Sequence, residues 1–487
     1  MRVARRFETV WIGLACWLGL AIGVAGAQEE YFELRGAVHL HTNYSTGKKE
    51  TIAEIAQKAK EHGVDVLIFT EDDILQVRYG LPLLRDLLRF THTEPAPITD
   101  GTLGEYFEEI QRVGAKHPEL VMFGGIESNP FYYWEVDLAS LTWTMHSFDK
   151  HIIALGMDKV EEYAQLPVIH GKGNERWDWS SLLLLWPLIG VAYGLFLGAS
   201  HPRGLRLGVL IVSTLCLINN FPFKVTYMDQ YNGDPGSGPY QHYIDYVNRH
   251  GGLVLWPHLE AKSAIPPTDF LGGLFHFASI TVPHPEDLVD TYDYAGFAAL
   301  YADNITATEP GHQWDIVLGQ YLAGQRAKPI WGEGEIDYHY DQKGGQIHDI
   351  LTVFLVKDRT REAVMDALRQ GRMYAVRGGD EQLVLDTFEV ESEIRRGIAG
   401  EEIPSQGLAR ISMRIDKLNG KQEEVKLRLI KTGEVLAEFS GLTPLEFQQV
   451  DTGIRPGEKV YYRLMAQSRT SRLTSNPIFV TGVGGAP

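Results

Sequence analysis

Cysteine is nearly absent from this chain of 487 residues: it has two, Cys16 and Cys216, and both lie inside apolar runs. That leaves an exported domain without a disulfide framework and without a thiolate metal site. Positive charge is also scarce, with 45 Lys and Arg against 63 Asp and Glu and a formal net charge of −18. The imbalance repels nucleic acid at long range, so no DNA or RNA partner is expected. Acidic clusters can hold metal instead. The length exceeds one ordinary core and points to two or three domains.

Residues 1–27 read as an export signal. Arg2, Arg5 and Arg6 precede an apolar run from Val10 to Val24, and Ala25-Gly26-Ala27 supplies small residues for cleavage. An uncleaved N-terminal anchor is the alternative reading.

His39 and His41 stand two apart at the end of an apolar stretch, and on a regular strand both point to one side, where two imidazoles can grip one cation. Thr51 to Gly63 has helical spacing. The run Val64 to Phe69 follows and ends in Thr70, Glu71, Asp72 and Asp73. Those acids fit either a site at a strand end or a helix N-terminus. Leu120 to Ile126 closes on Glu127, which must be paired or cation-bound if it is buried. His151 opens Ile152 to Gly156, Leu253 to Trp256 leads to His258, and Pro329 to Trp331 leads to Asp337 and His339. Further strands and helices are expected at Phe297 to Tyr301, Leu103 to Ala115 and Trp314 to Leu322. His92, His146, His170, His284 and His312 have no motif around them, and the acceptor patterns at Asn43 and Asn304 are too short to weigh.

The ordered series His39-x-His41, Thr70-Glu71-Asp72, Gly125-Ile126-Glu127, His151 to Gly156, Gly251-Gly252 to His258, and Asp337-x-His339 resembles the PHP (polymerase and histidinol phosphatase) superfamily. The segment Thr352 to Arg377, with Thr360 as a helix cap, resembles the tail that closes such domains. The resemblance implies an α/β fold, a distorted seven-stranded β/α barrel over residues 31–378, carrying two or three divalent metal ions. It also implies hydrolysis, mainly of phosphoesters, by a metal-bound water with no separate protein nucleophile. His39, His41, Glu127 and Asp337 would hold one ion, with Glu127 bridging to a second at His151. Asp72, His258 and His339 would complete the second and a third, with Glu71 a further candidate. Mn, Zn, Fe or Mg would serve. Two positions depart from the family pattern: Asp72 replaces an imidazole, and Thr46 stands where relatives carry Asp. The oxygen ligand moves preference away from an all-nitrogen site.

Residues 179–223 interrupt the barrel. Ser180 to Gly198 and Leu205 to Phe223 are apolar runs of about 19 residues, each able to cross a hydrocarbon core of roughly 30 Å. Arg203 and Arg206 flank the turn between them, and Trp177, Trp179 and Trp186 suit an interfacial belt. They read as a transmembrane hairpin whose turn is cytoplasmic; a buried helical hairpin is the alternative. This orientation places the barrel outside the cytoplasmic membrane, on the periplasmic side. Tyr240, Tyr243, Ile244 and Val247 would then form the helix after strand four, so the hairpin emerges at the metal-bearing end. Either the mouth faces the bilayer and takes lipid-linked phosphates, or the hairpin simply tethers.

Residues 383–482 alternate in short strands, such as Val425, Leu427 and Leu429, with a turn at Lys431 to Glu434, and predict a β-sandwich without a catalytic cluster. Three functions follow for testing: phosphoester hydrolysis, hydrolysis of carboxylic or carbamic esters, and a non-catalytic membrane scaffold. No basic phosphate-binding residue stands out; Lys48, Lys49 and Arg78 are available but unsupported.

Overall fold

The computed structural model describes residues 31–484 except 46–49, 74–75, 94–101, 198–200, 271, 303–304 and 340–344. The 1–27 segment with Cys16, and Thr46, Lys48, Lys49, Ala199, Ser200 and Asn304, lie outside the described residues.

Seven strands close into a barrel: β1 (Phe32–Leu40), β2 (Val66–Asp72), β3 (Val121–Ser128), β4 (Ile152–Leu155), β5 (Leu253–Trp256), β6 (Gly296–Leu300) and β7 (Trp331–Tyr338). β7 returns to pair with β1, Val38 opposite Glu335, so the barrel has no free edge. The runs are apolar on both faces because helices cover the outside. Helix α1 (Ile52–Glu61) begins with a reciprocal capping box between Thr51 and Glu54 and buries Ile52, Ile55, Ala56 and Ala59. Helix α2 (Leu103–Gly114) buries Leu103, Tyr106, Ile110 and Val113 in the same way.

β4 runs antiparallel to both neighbours, while the other pairings are parallel. Its start, not its end, therefore lies at the mouth formed by the C-terminal ends of the other strands, which is why His151 precedes its strand. The reversal also corrects the expected route to the hairpin. The chain leaves β4 at the opposite end and climbs back, and Ile169 N–H donates to Pro130 carbonyl, just beyond the end of β3.

The inserted segment is a helical hairpin. Trp179–Leu185 forms 3₁₀ turns, continuing through α3 (Pro187–Ala192) and a π turn at Tyr193–Leu197, and packs on α4 (Arg203–Asn220). Gly190 lies directly against Ser213, where no Cβ would fit. Among the described residues, one helix, Trp179–Phe196, is long and apolar enough to cross a membrane by length and composition. α4 carries Arg203, Arg206, Asn219 and Asn220, so the second expected span does not meet that measure. At the hairpin base, Asn219 Oδ1 accepts from the backbone N–H of Asp86 and Leu87.

Helix α5 (Gly238–Arg249) buries Tyr240, Tyr243, Ile244 and Val247, and α6 (Gln313–Leu322) buries Trp314, Asp315, Val317 and Leu318. A four-stranded sheet built from 133–137, 142–146, 263–270 and 275–281 joins the excursions after β3 and β5. No sequence signal pointed to it.

After β7, β8 (Ile350–Val356) pairs antiparallel with β1, α7 (Arg361–Gln370) ends on Gly371 with φ of 69°, and β9 (Met373–Arg377) pairs with β8. The C-terminal strands form two sheets, antiparallel except where Glu402–Ser405 pairs parallel with Ile478–Gly482. One of them joins the barrel directly, because Arg472–Ser475 pairs with β9, Arg377 opposite Arg472. A buried ion pair locks the seam: Arg463 Nε and Nη2 donate to Asp315 Oδ1 and Oδ2 at 2.8 and 2.7 Å, and Tyr461 hydroxyl adds a bond to Oδ1 at 2.6 Å.

Candidate metal centre

The mouth of the barrel collects the histidines and carboxylates. His39 does not reach it by regular strand alternation. The pairing register slips between Val38 and Leu40, and His39 has φ of 71°, so a bulge turns its ring into the mouth, while His41 lies just past the strand. His258 and Asp337 also have positive φ, 22° and 47°. Three non-glycine residues in that region at one site are backbone strain held by the surrounding barrel.

Glu127 is the hub. Its Oε2 lies 3.1 Å from His39 Nε2 and 3.2 Å from His41 Nε2, and Asp337 Oδ1 lies 3.6 and 3.4 Å from the same two nitrogens. Its Oε1 meets His151 Nδ1 at 2.8 Å and His258 Nε2 at 3.1 Å. His39 and His41 are fully buried and Glu127 nearly so. Neither His39 Nε2 nor His41 Nε2 makes a hydrogen bond despite those short distances. Donors around one tetrahedral ion, each about 2.1 Å from it, stand about 3.4 Å apart. The observed spacing therefore fits a shared cation, and the nitrogen and oxygen donors suit Mn, Zn or Fe.

Without a cation the cluster holds protons. Burial works against charge on the imidazoles, but the carboxylates outweigh it. Asp72, Asp337 and Glu127 raise His41 to about 10, and Glu127 raises His151 to about 9. His39 is likewise held high by Glu127, Glu335 and Asp337, against its burial. Burial pushes Glu127 and Asp337 up, yet the surrounding histidines, His39 foremost, keep both well below the usual carboxylate range.

His339 Nε2 lies 3.3 Å from Asp337 Oδ1, and its ring stacks on His41 with centroids 4.9 Å apart. Asp72 approaches His41 Nδ1 at 3.7 Å and groups with His41 and Glu127. Among the described residues, Glu71 joins no ligand group. Its carboxylate accepts from the hydroxyls of Thr42 and Ser45, and burial raises its pKa, so it braces the loop after β1. Of the two acids expected as candidates, Asp72 is the one in a donor group: on β2 successive side chains alternate, and Asp72 takes the mouth side.

The sequence reading missed Glu335, whose Oε1 lies 3.0 Å from His39 Nδ1 with both groups fully buried. Glu335, His39 and His258 form another ligand-like group. Glu333 lies two residues deeper, its pKa raised by burial and then by Glu335. Glu-x-Glu-x-Asp on one strand, spaced to share a face, was the signal. Ser45 also went unnoticed: it bonds His41 Nδ1 at 3.2 Å and receives Asp72 N–H at 3.0 Å.

Another group, His62, His348 and Asp380, lies apart from the mouth. The two rings are stacked 4.1 Å apart at 15°, so their lone pairs run nearly parallel instead of converging.

No family model matches the sequence, and no curated protein matches it. Among solved structures, the chain is similar to a two-domain protein from Bacteroides vulgatus described as containing a predicted PHP-like metal-dependent phosphoesterase. The two are 10% identical with a TM-score of 0.35, over 90% of this chain and 95% of that one. The geometry of the mouth, and not this likeness, carries the functional reading.

Proposed function

We propose that this protein is a metal-dependent phosphoesterase with a two- or three-ion centre. The observation that carries the reading is Glu127, one buried carboxylate whose two oxygens each face two imidazoles. His39, His41, Asp337 and Glu127 Oε2 would hold one ion; Glu127 Oε1, His151 and His258 would hold a second. Asp72 and His339, at the edge of the group, are the donors available to a third. Such ions supply a nucleophile by lowering the pKa of water and stabilise charge on the transferred phosphoryl group. The chain's own part is to fix the donors. Ser45 bonds His41 Nδ1 and so orients that imidazole, Glu335 Oε1 lies 3.0 Å from His39 Nδ1, and Tyr301 hydroxyl donates to Asp337 Oδ2 at 3.2 Å.

The hairpin attaches the barrel to the cytoplasmic membrane from the periplasmic side, and the substrates are small-molecule or lipid-linked phosphoesters. Supporting this are the apolar length of Trp179–Phe196 and the exposure of Trp179, Leu183 and Phe196, at 88, 74 and 75%. An aqueous surface rarely carries so continuous an apolar patch.

The test is hydrolysis of matched chromogenic phosphate and carboxylate esters by detergent-solubilised protein with Mn or Zn added. Phosphate cleavage that disappears in His39→Ala is the expected result. Cleavage of the carboxylate ester alone would assign an esterase, and inactivity with no bound metal would assign a scaffold. Carbonate extraction of membranes tests attachment, with the protein expected to stay in the pellet.

A further inference from the structure

Two adjoining cavities run from the metal centre along the seam between barrel and sandwich. The first, about 620 Å³, has Asp337 and His339 at its lining together with Tyr301, Arg377 and Thr470. The second, about 340 Å³, shares Arg377 and Thr470 with it and adds Arg469 and Arg472. Three arginines therefore line the second cavity, and no carboxylate lines it among the described residues.

The topology puts these residues at the right end. β1 pairs antiparallel with β8, and β8 antiparallel with β9, so β9 runs parallel to β1 and delivers Arg377 toward the mouth. Arg377 and Arg472 are direct cross-strand partners and share a face. Both also line a neighbouring cavity that carries Glu309 and Glu438. Arg377 Nη1 donates to the carbonyls of Tyr301 and Ala302 at 3.1 and 2.6 Å, which fixes the guanidinium plane. No carboxylate pairs with Arg377 among the described residues. Arg469 is 86% exposed and touches Glu423 loosely, at 3.8 Å.

We propose that this seam is an anion-binding subsite, taking a second phosphate or carboxylate group of the substrate close to the ester that is cut. The inference rests on the metal-hydrolase reading and names its substrate class: compounds with two anionic groups. Guanidinium forks match such groups in geometry as well as charge. The sandwich, which contributes Thr470, Arg469 and Arg472, thereby forms one wall of the substrate cleft. A cavity of this size holds a small ligand.

The experiment titrates metal-stripped, detergent-solubilised full-length protein with inorganic phosphate by calorimetry. Wild type and His39→Ala are expected to bind phosphate alike, and Arg377→Gln to bind it about tenfold more weakly or worse. Because Arg377 also holds two loop carbonyls, the double variant Arg469→Gln/Arg472→Gln repeats the test on the sandwich wall. Phosphate binding that is absent in wild type, or unchanged in both variants, overturns the proposal. KM is then measured with a soluble bisphosphate and with a phosphorylated lipid in phosphatidylcholine vesicles. A rise in KM at nearly constant kcat in the double variant supports the subsite and identifies which source it serves; no rise with either overturns it. Arginine-dependent phosphate binding in a protein that hydrolyses no ester supports the anion site while overturning the metal-hydrolase reading.

Discussion

Replacing Glu127 by glutamine changes one atom and removes the negative charge on which four imidazoles converge. The wild-type carboxylate meets His39, His41, His151 and His258 within 2.8 to 3.2 Å. The amide has one oxygen and one NH₂ group, so it cannot present an acceptor to both pairs. One pair of imidazoles at least loses its carboxylate oxygen, and the hydrogen bonds of His151 and His258 are each worth roughly 1.5–3 kcal/mol. Removing a group that only supports ligands costs 10–100-fold in metal affinity, so losing this one should cost at least about 100-fold, or about 2.7 kcal/mol. Chelator competition with Zn, with metal content measured after dialysis, is the assay. Glu127→Gln is expected to retain fewer ions than wild type and to lose hydrolysis. In the metal-free variant, His151 should titrate well below its wild-type value of about 9, since Glu127 is its largest raising influence against burial. Full metal content with affinity within threefold of wild type would refute the bridging role.

Other expectations concern the frame. Arg463→Met strands the Asp315 carboxylate in the seam and should destabilise the protein by about 3–5 kcal/mol, read from denaturant midpoints; an effect under 1 kcal/mol would show that the pair is dispensable. His170 is pushed down to about 3 by burial and then by Arg78 and Arg89. Its folded pKa lies below the unfolded value near 6.5, so the unfolded chain takes up the proton first. Stability should therefore be whole above about pH 6.5 and fall by up to about 1.4 kcal/mol per unit below it. In His170→Gln that slope should flatten, as urea melts from pH 7 to pH 4.5 would show. Gly125→Ala would place a Cβ 2.3 Å from Ala154 carbonyl oxygen, pushing β4 away from β3. Overpacking of this kind costs roughly 1–3 kcal/mol, so a lower melting temperature and loss of the ion shared with His151 are expected together.

Much of the site was legible because its residues flank apolar runs, His151 before one and the others at or beyond the close, and a polar group bordering a buried strand requires a partner. His39, His41, Glu127, His151, His258 and Asp337 all stood out on that ground, and the structure gathers them within one mouth. The expected helices Thr51 to Gly63 and Leu103 to Ala115 appear within a residue or two, since their caps and apolar stripes are local. Other features were hidden. The convergence of His39 with His41 depends on a bulge and a left-handed φ, which no alternation rule foresees. Whether Glu71 or Asp72 faces the mouth is set by the register of β2 against β1 and by which hydroxyls reach it. The antiparallel β4 was invisible, because strand direction depends on pairing with neighbours distant in sequence.

The sequence by itself determined the inventory: the donors, the apolar strands and helices that carry them, the inserted apolar hairpin and the alternating C-terminal strands. Composition and local periodicity are properties of neighbouring residues, so they survive in the linear chain. Only the tertiary structure decided how the donors are shared, with Glu127 set between two pairs of imidazoles and Glu335 beneath His39. It also decided that Arg377, Arg469 and Arg472 line one cavity beside the metal centre. Those relations join residues up to hundreds of positions apart, and only barrel closure and the sheet running on into the C-terminal strands bring them within contact distance.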